Sequence, residues 1–207
     1  REITGILHAL AMLGLSRVRS IVMTVAVRDF LAPARNSTLF APCWRHSLAC
    51  AFIAEEHAGN SPFDRDTAYT AGLLHELGRL ALIAGEPAKY ERMARAEHPE
   101  DLEAREREWF GADCREVGLA LLGEWRLPSA LQPAVAAPGA VPDPEGLGKL
   151  IHACSALADY IGFHVLPAGA PRGELPVLPD GQPVDPEALV TAVATKINTL
   201  ECNLVMV

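Results

Sequence analysis

The chain has 207 residues, of which 50% are hydrophobic and 21% charged, so it can bury a substantial core as one large domain or as a main domain with an appendage. Its formal net charge of −8 disfavours general nucleic-acid binding, which depends on Lys and Arg displacing counterions from phosphate. No apolar run approaches the roughly 18 residues of a membrane span, and the segment from Ile3 to Leu15 lacks the basic head and cleavage site of a signal peptide.

The charge is distributed unevenly along the chain. Residues 1–50 carry six arginines against two acidic residues, whereas residues 51–116 carry eight basic and fifteen acidic residues. Only the first fifty residues could therefore contribute to nucleic-acid binding. The five cysteines are odd in number and form no Cys-x-x-Cys pair, so we expect reduced core thiols and a cytoplasmic protein.

Apolar residues recur with a helical period and alternating strand patterns are nearly absent, so we predict an all-α fold. The first predicted helix runs from Ile3 to Leu13 and stops at Gly14, and a second begins at Ser16 and ends at Pro33. Five apolar residues of this second helix lie near one face, namely Val18, Ile21, Val22, Val25 and Phe30. The remaining predicted helices span about Pro42 to His57, Asp64 or Asp66 to Gly85, one or two charged helices within 87–110, Asp113 to Trp125, Pro128 to Ala137, Glu145 to Phe163, and Pro186 to about Leu200.

The composition changes sharply after the helix predicted from Glu145 to Phe163. Residues 166–185 interleave five prolines with glycines, which predicts a loop or linker. We therefore predict a main helical domain over residues 1–165, followed by a Pro/Gly-rich loop and a C-terminal helix over residues 166–207 that packs on the domain or extends it.

The strongest chemical signal is His75 followed by Glu76 inside a strongly helical segment. His46 lies upstream, and Asp159 lies far downstream, seven residues after His152 and hence on the same helix face. Imidazole and carboxylate are ligands that suit divalent transition metals, and a bound metal would acidify water for attack on phosphorus. The alternative is that the histidines are hydrogen-bonded core residues, because buried polar groups usually find partners.

Three motifs together resemble the HDOD family, the HD-related output domains of bacterial signalling proteins. They are Trp44-Arg45-His46-Ser47-x-x-Cys50-Ala51, then Ala71-Gly72-Leu73-Leu74-His75-Glu76-Leu77-Gly78, then Val117-Gly118-x-x-Leu121-Leu122-x-x-Trp125-x-Leu127-Pro128. A lead-in pattern from Ala9 to Arg19 is also similar, and the resemblance covers about residues 2–165. It implies an HD-superfamily-like helical bundle in which the family's N-terminal helices are absent.

The resemblance also implies a site. Active HD-superfamily members are metal-dependent phosphohydrolases with ligands in the order His, His-Asp, Asp, and the matching residues here are His46, His75, Glu76 and Asp159. Glu76 replaces the usual aspartate, which displaces the ligand oxygen by about a methylene, and close coordination tolerates roughly ±0.2 Å. Active HD enzymes also tend to present basic groups for substrate phosphate, and Arg45 and Arg79 are the only obvious candidates nearby.

Other positions depart from the pattern of the active enzymes. Cys114 stands where relatives often carry histidine, and Ala136-Ala137-Pro138 stands where related cyclic-dinucleotide phosphodiesterases carry paired histidines. These losses would dismantle a two-metal site. HDOD members are generally regarded as regulatory modules without established catalysis.

The expected function is a non-catalytic regulatory output module of bacterial signal transduction that acts through protein contacts. We expect no cofactor, and partners that are other signalling proteins, attached signalling domains or a second copy of the chain. One alternative is a mononuclear phosphohydrolase holding Fe, Mn, Zn or Mg on His46, His75, Glu76 and Asp159. A second alternative is a DNA-binding regulator using the early arginines, such as Arg17 and Arg19, although its helix carries few base-reading groups.

Overall fold

The computed structural model describes residues 15–95, 102–166, 174–179 and 181–205, and within them the secondary structure is helical with no strand. The predicted all-α fold is therefore confirmed, while the predicted helix from Ile3 to Leu13 lies outside the described residues. In chain order the helices are α1 (Leu15–Phe30), α2 (Phe40–His57), α3 (Arg65–Leu74), α4 (Leu77–Gly85), α5 (Pro87–Arg95), α6 (Leu102–Phe110), α7 (Cys114–Glu124), α8 (Gln132–Val135), α9 (Leu147–Tyr160) and α10 (Pro186–Val205). Short 3₁₀ turns occupy Ala32–Asn36, Ala58–Asn60 and Ser129–Leu131.

Helix α2 lies at the centre of the bundle and is buried along most of its length. It packs against α3, α9 and α10. The contact with α3 is close because Gly72 lacks a side chain, and a Cβ atom there would lie 2.6 Å from the Cα atom of Ala51. Gly72 therefore marks a close contact between the two helices. None of the described helices is both long and apolar enough to cross a membrane.

One predicted helix is wrong. The segment from Asp64 to Gly85 is two helices, α3 and α4, separated by a turn at His75 and Glu76. The Nδ1 atom of His75 lies 2.6 Å from the carbonyl oxygen of Gly72. The imidazole ring therefore occupies a main-chain hydrogen-bond acceptor near the end of α3. Glu76 then has φ −102° and ψ 14°, outside the helical range, and its own carbonyl begins the hydrogen bonding of α4.

Helix α1 packs with a face that the apolar pattern does not indicate. Its buried residues are Ser20, Thr24 and Val27, whereas Ile21 and Val22 are exposed. Hydrogen bonds determine this orientation: Ser20 Oγ donates to Asp66 Oδ1 at 2.7 Å, and the hydroxyls of Thr24 and Tyr69 lie 2.9 Å apart.

The charged segment predicted within 87–110 forms α5 and α6, separated by residues that the structure does not describe. Tyr90 and Met93 of α5 are buried in the core. Glu106 on α6 is also completely buried, which a pattern of exposed charges does not predict.

The C-terminal helix α10 lies against α2. Two ion pairs join them, Arg45 to Glu201 at 2.7 Å and Lys196 to Glu56 at 3.3 Å. The predicted end near Leu200 is extended to Val205. The described residues of the predicted Pro/Gly-rich loop, 166, 174–179 and 181–185, form no helix or strand.

Candidate metal centre

Three predicted ligands come together where α2 meets the turn between α3 and α4. His46 projects from the middle of α2, and His75 and Glu76 form the turn itself. One ligand atom from each of the three residues lies within 4.8 Å of the others. The site is shielded from solvent, since the side chains of His46, His75 and Glu76 are 0%, 5% and 13% exposed.

Main-chain carbonyls set the tautomers of both histidines. His46 Nδ1 lies 2.6 Å from the oxygen of Phe163, and His75 Nδ1 lies 2.6 Å from the oxygen of Gly72. A carbonyl only accepts, so each Nδ1 carries the proton and donates it. In the neutral rings both Nε2 atoms therefore bear lone pairs, and these two atoms face each other at 3.2 Å.

Burial keeps both rings neutral. It lowers the pKa of His46, and the neighbouring His75 lowers it further, outweighing the opposite effect of Asp159. Burial likewise lowers the pKa of His75, outweighing the effect of Glu76. The hydroxyl of Ser155, on α9, lies 3.0 Å from His46 Nε2 and can donate to it. Both neutral histidines are thus available as electron-pair donors on the same side.

Glu76 belongs to a buried ion network. Burial alone would raise the pKa of Glu76, but neighbouring cationic groups, Arg79 above all, outweigh burial and lower it, so the carboxylate is charged. The Nε atom of Arg79 lies 3.3 Å from Glu76 Oε2 and 3.0 Å from Glu106 Oε1. Glu106 also accepts from the Tyr90 hydroxyl at 2.5 Å and from the main-chain amide of Cys114 at 2.8 Å.

Asp159, the fourth predicted ligand, does not join the cluster. Its Oδ1 atom lies 3.5 Å from Nδ1 of His46, the nitrogen that points away from His75, and 3.6 Å from Nδ1 of His164. Burial raises the pKa of Asp159, although both histidines oppose the rise. The Asp159 carboxylate therefore lies on the Nδ1 side of His46, away from the Nε2 atom that faces His75.

The two predicted phosphate ligands are both occupied by other partners. Arg79 is buried in the ion network, and its Nη2 also donates to Cys114 Sγ at 3.0 Å. Arg45 turns toward α10, where it donates to Glu201 at 2.7 Å and to Asn198 at 3.1 Å. His152 lies one turn before Ser155 on α9, donates to the Ala136 carbonyl and is outside the three-residue cluster.

Sequence reasoning missed Ser155 and Glu106. Ser155 follows His152 by three residues and precedes Asp159 by four, so helical spacing alone would have placed it on the face already singled out. Glu106 has no such signal, because the surrounding residues of α6 are charged and typical of a solvated face.

The residues fit a metal ion only in part. Two nitrogen ligands on one ion at about 2.0 to 2.1 Å stand roughly 2.8 to 3.4 Å apart, from cis-octahedral to tetrahedral geometry, and the two Nε2 atoms lie 3.2 Å apart. A histidine that binds a metal through one ring nitrogen usually donates its other N–H to a carbonyl or carboxylate, as the Nδ1 atoms of both histidines do here. Against this, Glu76 is paired with Arg79, and Asp159 lies on the other side of His46. A metal held by His46, His75 and Glu76 would supply a Lewis acid.

The comparisons with known proteins agree with this fold. The HDOD domain family matches residues 1–140, more than half of the chain. The chain belongs to the HDOD family, which confirms the resemblance noted in its sequence.

Three solved structures are similar. The MmoQ response regulator from Methylococcus capsulatus str. Bath is 27% identical, with a TM-score of 0.52, over 59% of this chain and 51% of that one. A candidate phosphohydrolase from Shewanella amazonensis SB2B is 21% identical, with a TM-score of 0.66, over 94% and 73%. An HDOD domain protein with unknown function from Geobacter sulfurreducens is 23% identical, with a TM-score of 0.60, over 99% and 75%. The chain thus spans about half the length of the response regulator. The other two structures, at 21% and 23% identity, show that this chain shares their fold. No significant match was found among curated proteins.

Proposed function

We propose that this chain is a non-catalytic regulatory module of bacterial signal transduction that acts through contacts with other proteins. The HDOD family and the likeness to a response regulator support a regulatory role. In this proposal the cluster of His46, His75 and Glu76 is a structural element that joins α2 to the turn between α3 and α4.

The observation that best supports the proposal is that Arg79 is buried and ion-paired. A phosphohydrolase needs cationic groups that can reach the substrate phosphate and a metal with an open coordination position. Arg79 is instead buried between Glu76 and Glu106, and the cluster beside it is closed to solvent. Opening this network to bind a phosphate would leave two carboxylates without their cation, at a cost of several kcal/mol.

Metal titration of the purified protein tests the structural role of the cluster. We expect that Mn²⁺, Fe²⁺, Zn²⁺ and Mg²⁺ each fail to reach one tightly bound equivalent after dialysis. The matched variants are His75→Ala, inside the cluster, and His164→Ala, which contacts Asp159 but is not a member of the cluster. One equivalent that His75→Ala loses and His164→Ala retains would show that the cluster is a metal site and not a metal-free structural element.

A mononuclear metal-dependent phosphohydrolase remains the second candidate function. The observation in its favour is the 3.2 Å approach of two lone-pair-bearing nitrogens, which a cation between them would stabilise. Stoichiometric metal alone would indicate a metal-stabilised regulatory module. Metal together with hydrolysis of a phosphoester would indicate the enzyme.

A further inference from the structure

The last described helix, α10, is attached to the domain along a narrow seam. Among residues 186–203, the buried side chains are those of Leu189, Val193 and Ile197, which recur every four residues and so lie on one face of the helix. By contrast, 12 of the 18 residues of α2 are buried. Because the burial of apolar side chains is the main force that holds a helix in place, α10 is held less firmly than α2.

Polar contacts between α10 and α2 flank this seam, and they are partly exposed to water. Arg45 of α2 donates to Glu201 at 2.7 Å and to Asn198 at 3.1 Å, and the side chains of this ion pair are 35% and 33% exposed. Lys196 pairs with Glu56 at 3.3 Å, and these side chains are 40% and 56% exposed. Exposed ion pairs contribute little stability, because water and salt screen them. They orient α10 on α2 without fixing it there.

The sequence of α10 does not favour a helix that stands alone. Six of the ten residues from 190 to 199 are β-branched, namely Val190, Thr191, Val193, Thr195, Ile197 and Thr199. Such side chains lose rotamer freedom in a helix and so disfavour it. The hydroxyls of the three threonines donate to carbonyls one turn earlier in α10 itself. Most of the stability of a protein helix comes from packing its apolar face, so α10 is helical because it is docked on α2.

We propose that α10 is a detachable strap, which is helical while it is docked on α2 and which opens as a unit while the core of the domain stays folded. Opening releases Arg45 from Glu201 and Asn198, at a position next to His46 in α2. It also uncovers the ring of Phe52, which is 4% exposed and whose centre lies 5.6 Å from the ammonium group of Lys196 on α10.

The strap therefore controls whether this side of α2 is accessible. The inference goes beyond the proposed function, since it holds whether the chain acts by contact or by catalysis.

Native-state hydrogen exchange of the whole chain tests the strap, because an amide exchanges only when its hydrogen bond opens. Val193→Ala removes buried apolar atoms from the seam, whereas Thr195→Ala changes an exposed side chain of the same helix. Arg45→Gln removes the ion pair with α10. Its matched control is Arg35→Gln, which removes an exposed ion pair with Asp29 in another part of the domain.

We expect the amides of α10 to exchange at least about 100-fold faster than the most protected amides of α2. Val193→Ala should speed the exchange of α10 about tenfold or more and leave that of α2 unchanged. Thr195→Ala should slow the exchange of α10 about twofold, because alanine favours a helix. Arg45→Gln should speed it by up to about fivefold, and Arg35→Gln should leave it unchanged.

Exchange of α10 and α2 with the same opening free energy would overturn the proposal, because the two helices would then open only together. Acceleration of both helices to the same extent by Val193→Ala would overturn it as well. Turnover of phosphoesters contradicts the proposed function without changing this pattern of exchange, so the two failures are distinguishable.

Discussion

The Nε2 atoms of His46 and His75 lie 3.2 Å apart, and each ring donates its Nδ1 proton to a main-chain carbonyl on its far side. Two lone pairs therefore face each other in a buried place. Ser155 relieves part of this repulsion by lying 3.0 Å from His46 Nε2 with a hydroxyl that can donate. The arrangement retains two nitrogen ligands for a metal ion. Asp159, which would complete the ligand set, lies on the Nδ1 side of His46 and not on the side of these two nitrogens.

The tautomers of these two histidines can be observed directly. Long-range ¹⁵N–¹H correlation spectra at neutral pH should show that both rings are neutral and protonated on Nδ1, because the carbonyls of Phe163 and Gly72 accept from that nitrogen. The signals that disappear from the spectrum of His75→Ala are those of His75, and His46→Ala identifies those of His46 in the same way. A proton on Nε2 of either ring would refute this description of the cluster.

Replacing Arg79 should destabilise the fold strongly. Arg79→Met leaves Glu76 and Glu106 buried without their cation, so we expect the free energy of unfolding in urea to fall by about 3–5 kcal/mol. Arg95 is the matched control, since its pair with Glu91 at 3.7 Å is on the surface. Arg95→Met should change the free energy of unfolding by less than about 1 kcal/mol. Similar losses in the two variants would show that the buried network contributes no special stability.

Two glycines should respond to alanine in opposite directions. A Cβ atom on Gly78 would collide with the main chain of Cys114 and Gly118 on α7, so Gly78→Ala should lower the melting temperature. Overpacking of this kind costs about 1–3 kcal/mol. Gly123, within α7, has no atom within 4 Å of such a Cβ. Gly123→Ala should therefore stabilise the protein by about 0.5–1 kcal/mol, and a loss at Gly123 would contradict the described packing of α7.

The N-cap of α3 should give a pH-dependent contribution to stability. Asp64 Oδ1 accepts from the main-chain amide of Thr67 at 2.7 Å, and this bond lowers the pKa of Asp64. Because the folded pKa is below the unfolded one, the stabilisation is present above the unfolded pKa of about 3.9 and is lost as the pH falls through the folded value.

Asp64→Ala should therefore lower the free energy of unfolding by about 0.5–2 kcal/mol at neutral pH, and the deficit should shrink as the pH is lowered below about 4. Asp64→Asn keeps a capping oxygen and should recover most of the neutral-pH stability without the pH dependence. A deficit of Asp64→Ala that stays constant into acid would exclude the ionised cap.

The sequence was sufficient for features that depend on local signals. The helical period predicts the bundle, and Asp113 with Glu116 three residues later begins α7 through the capping box that this spacing favours. The family motifs located His46, His75 and Glu76, which the structure brings together.

Features that depend on tertiary contacts were not predictable. The break at His75 arises from a side chain that takes a main-chain acceptor of its own helix. The burial of Glu106 depends on Arg79, which is 27 residues away in the sequence. The polar inward face of α1 depends on Asp66 and Tyr69 of α3, and a hydrophobic period read within α1 alone selects the opposite face.

We propose that this HDOD chain regulates by contact and does not cleave phosphoesters. The most direct measurement is turnover of phosphomonoesters, nucleotides and cyclic dinucleotides by the purified chain supplied in turn with Mn²⁺, Fe²⁺, Zn²⁺ and Mg²⁺. We expect the wild type to release no more product than His75→Ala. Hydrolysis by the wild type that His75→Ala abolishes and His164→Ala preserves would contradict it.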